Sequence, residues 1–145
     1  MNTDPGTTAP PGADGALRRL GVPLAVLGSV AAAFAYVAAV DPNEPGHYPA
    51  CPLLHYTGLY CPGCGGLRSA HALTHGDLPA ALGANAVAVA GFGVLAVVWV
   101  LWAAAAARGR PVPLRLGRAH LWGVGAVLAL FTLVRNLPSG AWLHP

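Results

Sequence analysis

The sequence predicts an all-α membrane protein with three transmembrane helices and a cysteine-rich loop between the first and second of them. Two observations lead to this prediction. Of the 145 residues, 55% are hydrophobic and only 9% are charged, whereas soluble domains carry charge at about 25% of positions. The apolar residues also fall in long uncharged runs, and two of these runs are long enough to cross a bilayer core of about 30 Å.

The first membrane helix is predicted at residues 20–40, after an N-terminal tail of residues 1–17. The tail is rich in Pro, Gly and Thr, has no apolar periodicity, and is predicted to be disordered. The run 20–40 has 21 residues without a charge, which matches the roughly 20 that a spanning helix needs. A cleaved signal peptide is the alternative. Because its apolar region would have only about 7–15 residues, an uncleaved anchor is favoured.

Two further membrane helices are predicted, at residues 86–107 and about 119–137, within a single membrane domain of residues 18–145. The run 86–107 has 22 uncharged residues. The last apolar run, 121–134, has only 14, so it spans only if the helix continues through Arg135, whose long side chain can reach the headgroups. Trp122 and Trp142 flank this run, as interfacial aromatic residues do. An interfacial or re-entrant segment is the alternative to a span.

The arginines predict the orientation in the membrane. Six of the eight basic residues precede the first helix or lie between the second and third, and these are Arg18, Arg19, Arg108, Arg110, Arg115 and Arg118. The positive-inside rule makes that side cytoplasmic, so the loop 41–85 is expected to face outward from the plasma membrane. The lipid bilayer is the expected partner, with other membrane proteins as further candidates. A net charge of +3 is too small to indicate nucleic-acid binding.

All three cysteines, Cys51, Cys61 and Cys64, lie within fourteen residues of this loop. The sequence predicts an extended piece after Cys51, a tight turn at Cys61-Pro62-Gly63-Cys64, and a short helix from Gly66 to about residue 75. Cys64 then lies at the start of that helix, where amide donors and the helix dipole favour a thiolate. Arg68 follows one turn later and is expected to add to this effect.

Three kinds of chemistry fit this cluster. Three thiolates and one histidine could hold a tetrahedral metal ion such as zinc. His71 and His75 are the preferred fourth ligands because they share a helical face with Arg68, and His55 and His47 are alternatives. A Cys61–Cys64 pair could instead cycle between dithiol and disulfide, with Cys51 as the resolving thiol or as the partner of one of the other two cysteines. In the third case, a metal or disulfide only holds the loop together.

Polar residues at the ends of helices are expected at the same membrane surface. Asp77 is predicted to cap a short helix that leads to Asn85, where the second membrane helix begins. Arg135 and Asn136 end the third helix on the same side. Because polar groups in hydrocarbon are costly without a partner, we expect Asn85, Arg135 and Asn136 to pack against the cysteine loop.

This pattern resembles a known family. Cys51-Pro52, Thr57-Gly58, Cys61-Pro62-Gly63-Cys64-Gly65, Arg68, Gly76-Asp77, Asn85 and Arg135-Asn136 are similar to the bacterial membrane proteins grouped as domain of unknown function 2752. The resemblance covers roughly residues 20–138 and implies a short polytopic membrane protein without an assigned activity. Leu67 and Ala86 depart from it, since Thr and Pro are frequent at those positions.

The expected function is therefore non-enzymatic. The chain is predicted to be an accessory or binding protein of the membrane whose outer cysteine loop is stabilised by a metal ion or a disulfide. A membrane thiol–disulfide protein that uses Cys61 and Cys64 is the alternative.

Overall fold

A computed structural model describes residues 13–111 and 117–144, and the regular secondary structure in this part of the chain consists of helices, with no strand. The five α-helices are followed by a C-terminal 3-10 helix. Their bounds are α1, Ala13–Ala39; α2, Pro52–Thr57; α3, Gly66–Thr74; α4, Leu78–Ala107; α5, Arg118–Arg135; and the 3-10 helix, Pro138–Leu143. The all-α class predicted from the sequence is thus confirmed.

Helices α1 and α4 form an antiparallel hairpin. At one end, the guanidinium of Arg19 lies over Gly109, just after α4. Further along, the indole of Trp99 donates a hydrogen bond to the carbonyl of Pro23 (3.0 Å), and the rings of Phe34 and Phe92 meet edge to face at 5.4 Å. The cysteine loop therefore lies at the opposite end of the hairpin from Arg19.

The surfaces of α1 and α4 are apolar and open. Residues 18–39 and 78–107 have mean hydropathies of 2.0 and 2.3 in their most apolar windows, and little of either window is buried. Leu95, for example, is 66% exposed and Val94 is 62% exposed. A soluble core helix would bury such side chains, because apolar area in water is costly. The structure thus contains two helices that are long and apolar enough to cross a membrane.

Helix α4 is kinked at Asn85, where φ is −166° and ψ is 94°. The carboxylate of Asp77 accepts a hydrogen bond from the amide of Ala80 (2.9 Å) and caps the first part of the helix. The side-chain carbonyl of Asn85 accepts from the amide of Ala88 (2.9 Å) and caps the second part. The sequence predicts that the second membrane helix starts at Asn85. A new helical segment does start there, within the longer helix α4.

Helix α5 packs on the rest of the described chain mainly through its C-terminal end and the 3-10 helix, rather than along α1 or α4. Its apolar side chains are open, with Val124 60% and Leu130 61% exposed. The helix has 18 residues, which at about 1.5 Å per residue is roughly 27 Å. Since it is slightly shorter than a typical bilayer core, a third membrane span stays a prediction.

Two sequence-based boundaries differ from the structure. Helix α1 begins at Ala13 and so includes the last residues of the predicted tail; no proline interrupts the chain between Pro11 and Pro23, so nothing in the backbone stops the helix there. Residues 1–12 lie outside the described part. The extended piece predicted after Cys51 is wrong, since residues 52–57 form α2, with Pro52 in its first turn and Gly58 left-handed at its end.

Candidate functional site

The three cysteine sulfurs converge on one point. Cys51 Sγ lies 3.5 Å from Cys61 Sγ, Cys61 Sγ lies 3.1 Å from Cys64 Sγ, and all three atoms are within 4.8 Å of one another. No pair approaches the S–S bond length of about 2.05 Å, and all three cysteines are free. The distances therefore do not support a disulfide, and they leave the three thiols as a group that could hold a metal ion.

Three short backbone elements bring these sulfurs together. Cys51 stands immediately before α2, and the chain reverses after that helix at Gly58. The CPGC segment forms a turn in which the amide of Cys64 donates to the carbonyl of Cys61 (3.1 Å). Gly65 then has φ 83°, a left-handed conformation that favours glycine, and leads directly into α3. The turn between two helices thus places Cys61 and Cys64 beside Cys51.

The thiols differ in their electrostatic surroundings. The pKa of Cys51 is lowered from 9.0 to about 7, chiefly because the backbone amide of nearby Leu54 stabilises the thiolate, and then because of the neighbouring thiols of Cys61 and Cys64. The pKa of Cys51 is lowered although its side chain forms no capping hydrogen bond to α2. Burial, followed by the two neighbouring sulfurs, raises the pKa of Cys64 to about 12.

The predicted activation of Cys64 is therefore wrong. Its side chain is only 8% exposed, and desolvation disfavours its charged form more than the start of α3 can favour it. Arg68, which was expected to help, is not among the groups that shift the pKa of either thiol. Of the two cysteines that stand just before helices, Cys51, before α2, has the lower pKa.

Asn85 fastens the CPGC turn to the kink of α4. Its side chain is 2% exposed, and its amide group donates to the carbonyls of Pro62 (2.8 Å) and Cys64 (2.9 Å). The same residue caps the second half of α4 through Ala88. One asparagine therefore satisfies backbone groups on both sides of the contact, which explains why a polar residue is stable at this buried position.

Arg135 lies beneath the cysteines and is fully buried, with 0% exposure. One guanidinium nitrogen, Nη1, donates to the carbonyls of Cys61 (3.0 Å) and Cys64 (3.1 Å). The other, Nη2, donates to the carbonyl of Leu143 (2.8 Å). The rings of Tyr60 and Phe131 lie 5.5 and 4.9 Å from the guanidinium carbon, within the range of cation–π attraction.

The charge of Arg135 has no carboxylate partner in the described part of the chain. The single ion pair found there joins His71 and Asp41, at 3.9 Å. The Nε of Arg135 is buried and has no hydrogen-bond acceptor. A buried cation is costly without a nearby anion, and the contacts that offset this cost are the three carbonyls and the two aromatic rings.

Asn136 completes the contact between α5 and the loop. It accepts a hydrogen bond from the amide of Tyr60 (2.9 Å) and donates one to the carbonyl of the same residue (2.9 Å). Its amide group also donates to Thr132 of α5 (2.8 Å). The contacts of Asn85, Arg135 and Asn136 agree with the packing against the loop that the topology predicts.

The histidines of α3 lie elsewhere. His71 donates from Nδ1 to the carbonyl of Val37 in α1 (2.8 Å), and His75 donates in the same way to the carbonyl of His71 (2.9 Å). Their rings are 4.3 Å apart and line a cleft of about 440 Å³ together with Arg68 and Asp77. The structure brings these predicted site residues together, but the group of close ligand atoms contains the three cysteines and no histidine.

Several contacts of the site have no signal in the sequence. Leu143 contributes only a backbone carbonyl, and His144 accompanies it, bonding to the carbonyl of Arg135 (2.7 Å). The ring of His144 stacks on that of Tyr60 at 4.4 Å. A lone histidine near the C-terminus is unremarkable in the sequence, and only the 3-10 helix that folds back onto α5 gives it a neighbour.

A sequence model described as "Protein of unknown function (DUF2752)" matches residues 51–99. The resemblance expected from the cysteine motif is thereby confirmed, over a shorter segment than the predicted residues 20–138. The match includes the three cysteines and Asn85, whereas Arg135 and Asn136 lie outside it. Neither a curated protein nor a solved structure matches the chain.

Proposed function

Residues 51–99 match the DUF2752 family, and we propose that this chain is a non-enzymatic membrane protein that binds one divalent metal ion, zinc by preference, through Cys51, Cys61 and Cys64. The ion stabilises the cysteine loop, and the stabilised loop serves as the accessory or binding surface of the protein. Zinc suits these ligands because it is bound by thiolates in tetrahedral sites and undergoes no redox change.

The observation that carries the proposal is the convergence of three unbonded sulfurs within 4.8 Å of one another. With Zn–S bonds of about 2.3 Å, two thiolates of a tetrahedral site lie about 3.8 Å apart. The two shorter separations, 3.5 Å and 3.1 Å, lie below this value, so these two pairs of sulfurs would have to move apart by about 0.3 and 0.7 Å. Like thiolates repel one another, and a divalent ion removes that repulsion.

The surrounding contacts support a structural consequence of binding. An ion on the three sulfurs would link the start of α2 to the turn before α3. Arg135 and Asn85 already hold the backbone of that turn. Metal binding adds a link that the unfolded chain lacks, and its binding free energy therefore becomes folding free energy.

The membrane arrangement is part of the proposal. The hairpin of α1 and α4, together with the arginine distribution, supports a cytoplasmic N-terminus and an outward cysteine loop in the plasma membrane. We propose α5 as the third span, since its end at Arg135 meets the same loop. The bilayer then covers the apolar sides of the helices.

A thiol–disulfide protein is the second candidate, favoured by the 3.1 Å between Cys61 Sγ and Cys64 Sγ. In exchange, the Cys51 thiolate would attack Cys61 of an oxidised Cys61–Cys64 pair, and Cys64 would leave as a thiolate. Exchange is faster when the leaving thiol has a low pKa, but burial raises the pKa of Cys64 to about 12. The metal site is therefore the better supported of the two.

Metal analysis and thiol counting on protein purified in mild detergent test the proposal. We expect one zinc ion per chain and three thiols that resist a thiol reagent until a chelator is added. Cys64→Ser should lower the zinc content, whereas Ser69→Ala, a change at a buried residue of the same region, should not. A metal-free protein with a reversible Cys61–Cys64 disulfide would favour the redox candidate instead.

A further inference from the structure

In the part of the chain that the structure describes, the three cysteines are the only side chains in the group whose ligand atoms lie within 4.8 Å of one another. No histidine belongs to this group, His47 and His55 included. Three of the histidines bond to backbone carbonyls instead: His71 to that of Val37, His75 to that of His71, and His144 to that of Arg135. A tetrahedral ion with three protein ligands keeps its fourth position open.

The cluster is open on one side only. Cys64 is 8% exposed, and the residues that back it, Asn85 and Arg135, are 2% and 0% exposed. Cys51 and Cys61 are both partly exposed. An external ligand therefore reaches the ion past Cys51 and Cys61, while the side toward the helix ends is closed.

The charge balance selects the kind of ligand. A divalent ion and three thiolates carry a net charge of −1, and the guanidinium of Arg135, bonded to the carbonyls of Cys61 and Cys64, carries +1. A neutral fourth ligand leaves this group balanced. An anionic ligand adds a negative charge at a partly desolvated position, where uncompensated charge is costly.

We propose that the metal site keeps an exchangeable fourth position that accepts a neutral nitrogen donor from outside the chain in preference to an anionic one, and that Arg135 limits the penalty for anions. This inference rests on the proposed metal binding. The ligand class is an imidazole, with water occupying the position otherwise. The cysteine loop is then a docking point for a ligand rather than a closed structural site.

Cobalt(II) reports on the fourth ligand, because the visible bands of a tetrahedral thiolate complex change when one donor is exchanged. The full chain in detergent micelles is loaded with one cobalt ion and titrated with imidazole, then separately with azide, at a pH where imidazole is neutral. We expect a saturable band shift with retention of the ion, and tighter binding of imidazole than of azide. His71→Ala and His75→Ala, the matched controls, should leave the starting spectrum unchanged.

Arg135 variants test the role of its charge. Arg135→Gln should weaken azide binding by about tenfold, as expected for loss of a cation several ångströms away in a partly screened site, while imidazole binding changes by less than about twofold. Arg135→Lys should restore azide binding. A uniform loss of both ligands in Arg135→Gln would mark a purely structural role and overturn this assignment.

The outcomes separate the two proposals. Failure of cobalt to bind contradicts the proposed metal site itself. Cobalt binding with a spectrum that imidazole does not change, or that a histidine variant alters, shows four protein ligands and overturns the open position alone. If imidazole removes the cobalt ion, so that the visible bands are lost, the open fourth position is also overturned. The wild-type titration remains informative even if Arg135→Gln does not fold.

Discussion

Replacement of Arg135 by leucine should open the cysteine loop without unfolding the α1–α4 hairpin. The change removes three hydrogen bonds from a charged donor group, to the carbonyls of Cys61, Cys64 and Leu143. Such bonds contribute about 1.5–3 kcal/mol each. The carbonyl of Cys64 keeps a donor from Asn85, and that of Cys61 keeps the amide of Cys64. The net loss is therefore about 3 kcal/mol.

Thiol labelling measures this loss directly. The side chain of Cys64 is 8% exposed, so its labelling in metal-free protein requires the loop to open locally. Because about 1.4 kcal/mol corresponds to a factor of ten, Arg135→Leu should raise the labelling rate of Cys64 by roughly a hundredfold. Mass spectrometry assigns the label to each cysteine. Arg118→Leu, an exposed position at the other end of α5, is the control.

Equal labelling of Cys64 in wild type, Arg135→Leu and Arg118→Leu would refute the idea that Arg135 holds the loop. So would an equal increase in both variants, since that would indicate a general effect on α5. Loss of the entire fold in Arg135→Leu would show that the loop and the helices do not open independently.

Three further predictions follow from single contacts. Alkylation of Cys51 in metal-free protein should be half-maximal near pH 7 rather than near 9.0, since its pKa is lowered to about 7. The Cys51 thiolate stabilises the folded state, and this stabilisation is lost as the pH falls through about 7. An alkylation midpoint near pH 9 would contradict the contact with Leu54. Gly140→Ala should speed the labelling of buried Cys64, because a methyl group at position 140 would overlap the carbonyl of Val134. Gly125→Ala should leave the labelling rate unchanged, because no atom lies within 4 Å of the added methyl group. Asn85→Ala should lower the free energy of unfolding by about 1–2 kcal/mol through the lost helix cap alone, and the loss is measured as a lower thermal midpoint. An unchanged midpoint would exclude the capping role.

The helices could be predicted from the sequence because their signals are local. The uncharged runs 20–40 and 86–107 correspond to α1 and the second part of α4. Asp77 and Asn85 cap the two parts of α4 through their own neighbours in the chain, so the turn chemistry of a few residues is sufficient to place them. The orientation of the chain and the third membrane span depend also on the lipid bilayer. Its effect cannot be deduced from neighbouring residues in the sequence.

The meeting of distant polar residues could also be anticipated in part. Arg135 and Asn136 contact residues more than 70 positions earlier, yet membrane topology alone places their helix end at the surface of the cysteine loop. The C-terminal carbonyl of Leu143 could not be predicted, since it depends on how the 3-10 helix folds back. That close approach requires glycine at position 140, where a side chain would meet the backbone of α5.

The relative reactivity of the thiols was beyond the sequence. Position before a helix favours ionisation for both Cys51 and Cys64, and the sequence assigns this effect to Cys64. Burial decides otherwise, since it depends on tertiary packing and raises the pKa of Cys64. The periodicity that places His71 and His75 on one face is real, but periodicity does not specify that this face turns toward α1 and the carbonyl of Val37.

X-ray absorption at the zinc edge of the purified protein tests most directly whether the three sulfurs bind one metal ion. The geometry predicts three sulfur neighbours at about 2.3 Å and one nitrogen or oxygen neighbour at about 2.0–2.1 Å, with fewer sulfur neighbours in Cys51→Ser. A zinc ion surrounded only by nitrogen and oxygen, with the same spectrum in Cys51→Ser, would place the metal away from the cysteines and contradict the proposed site.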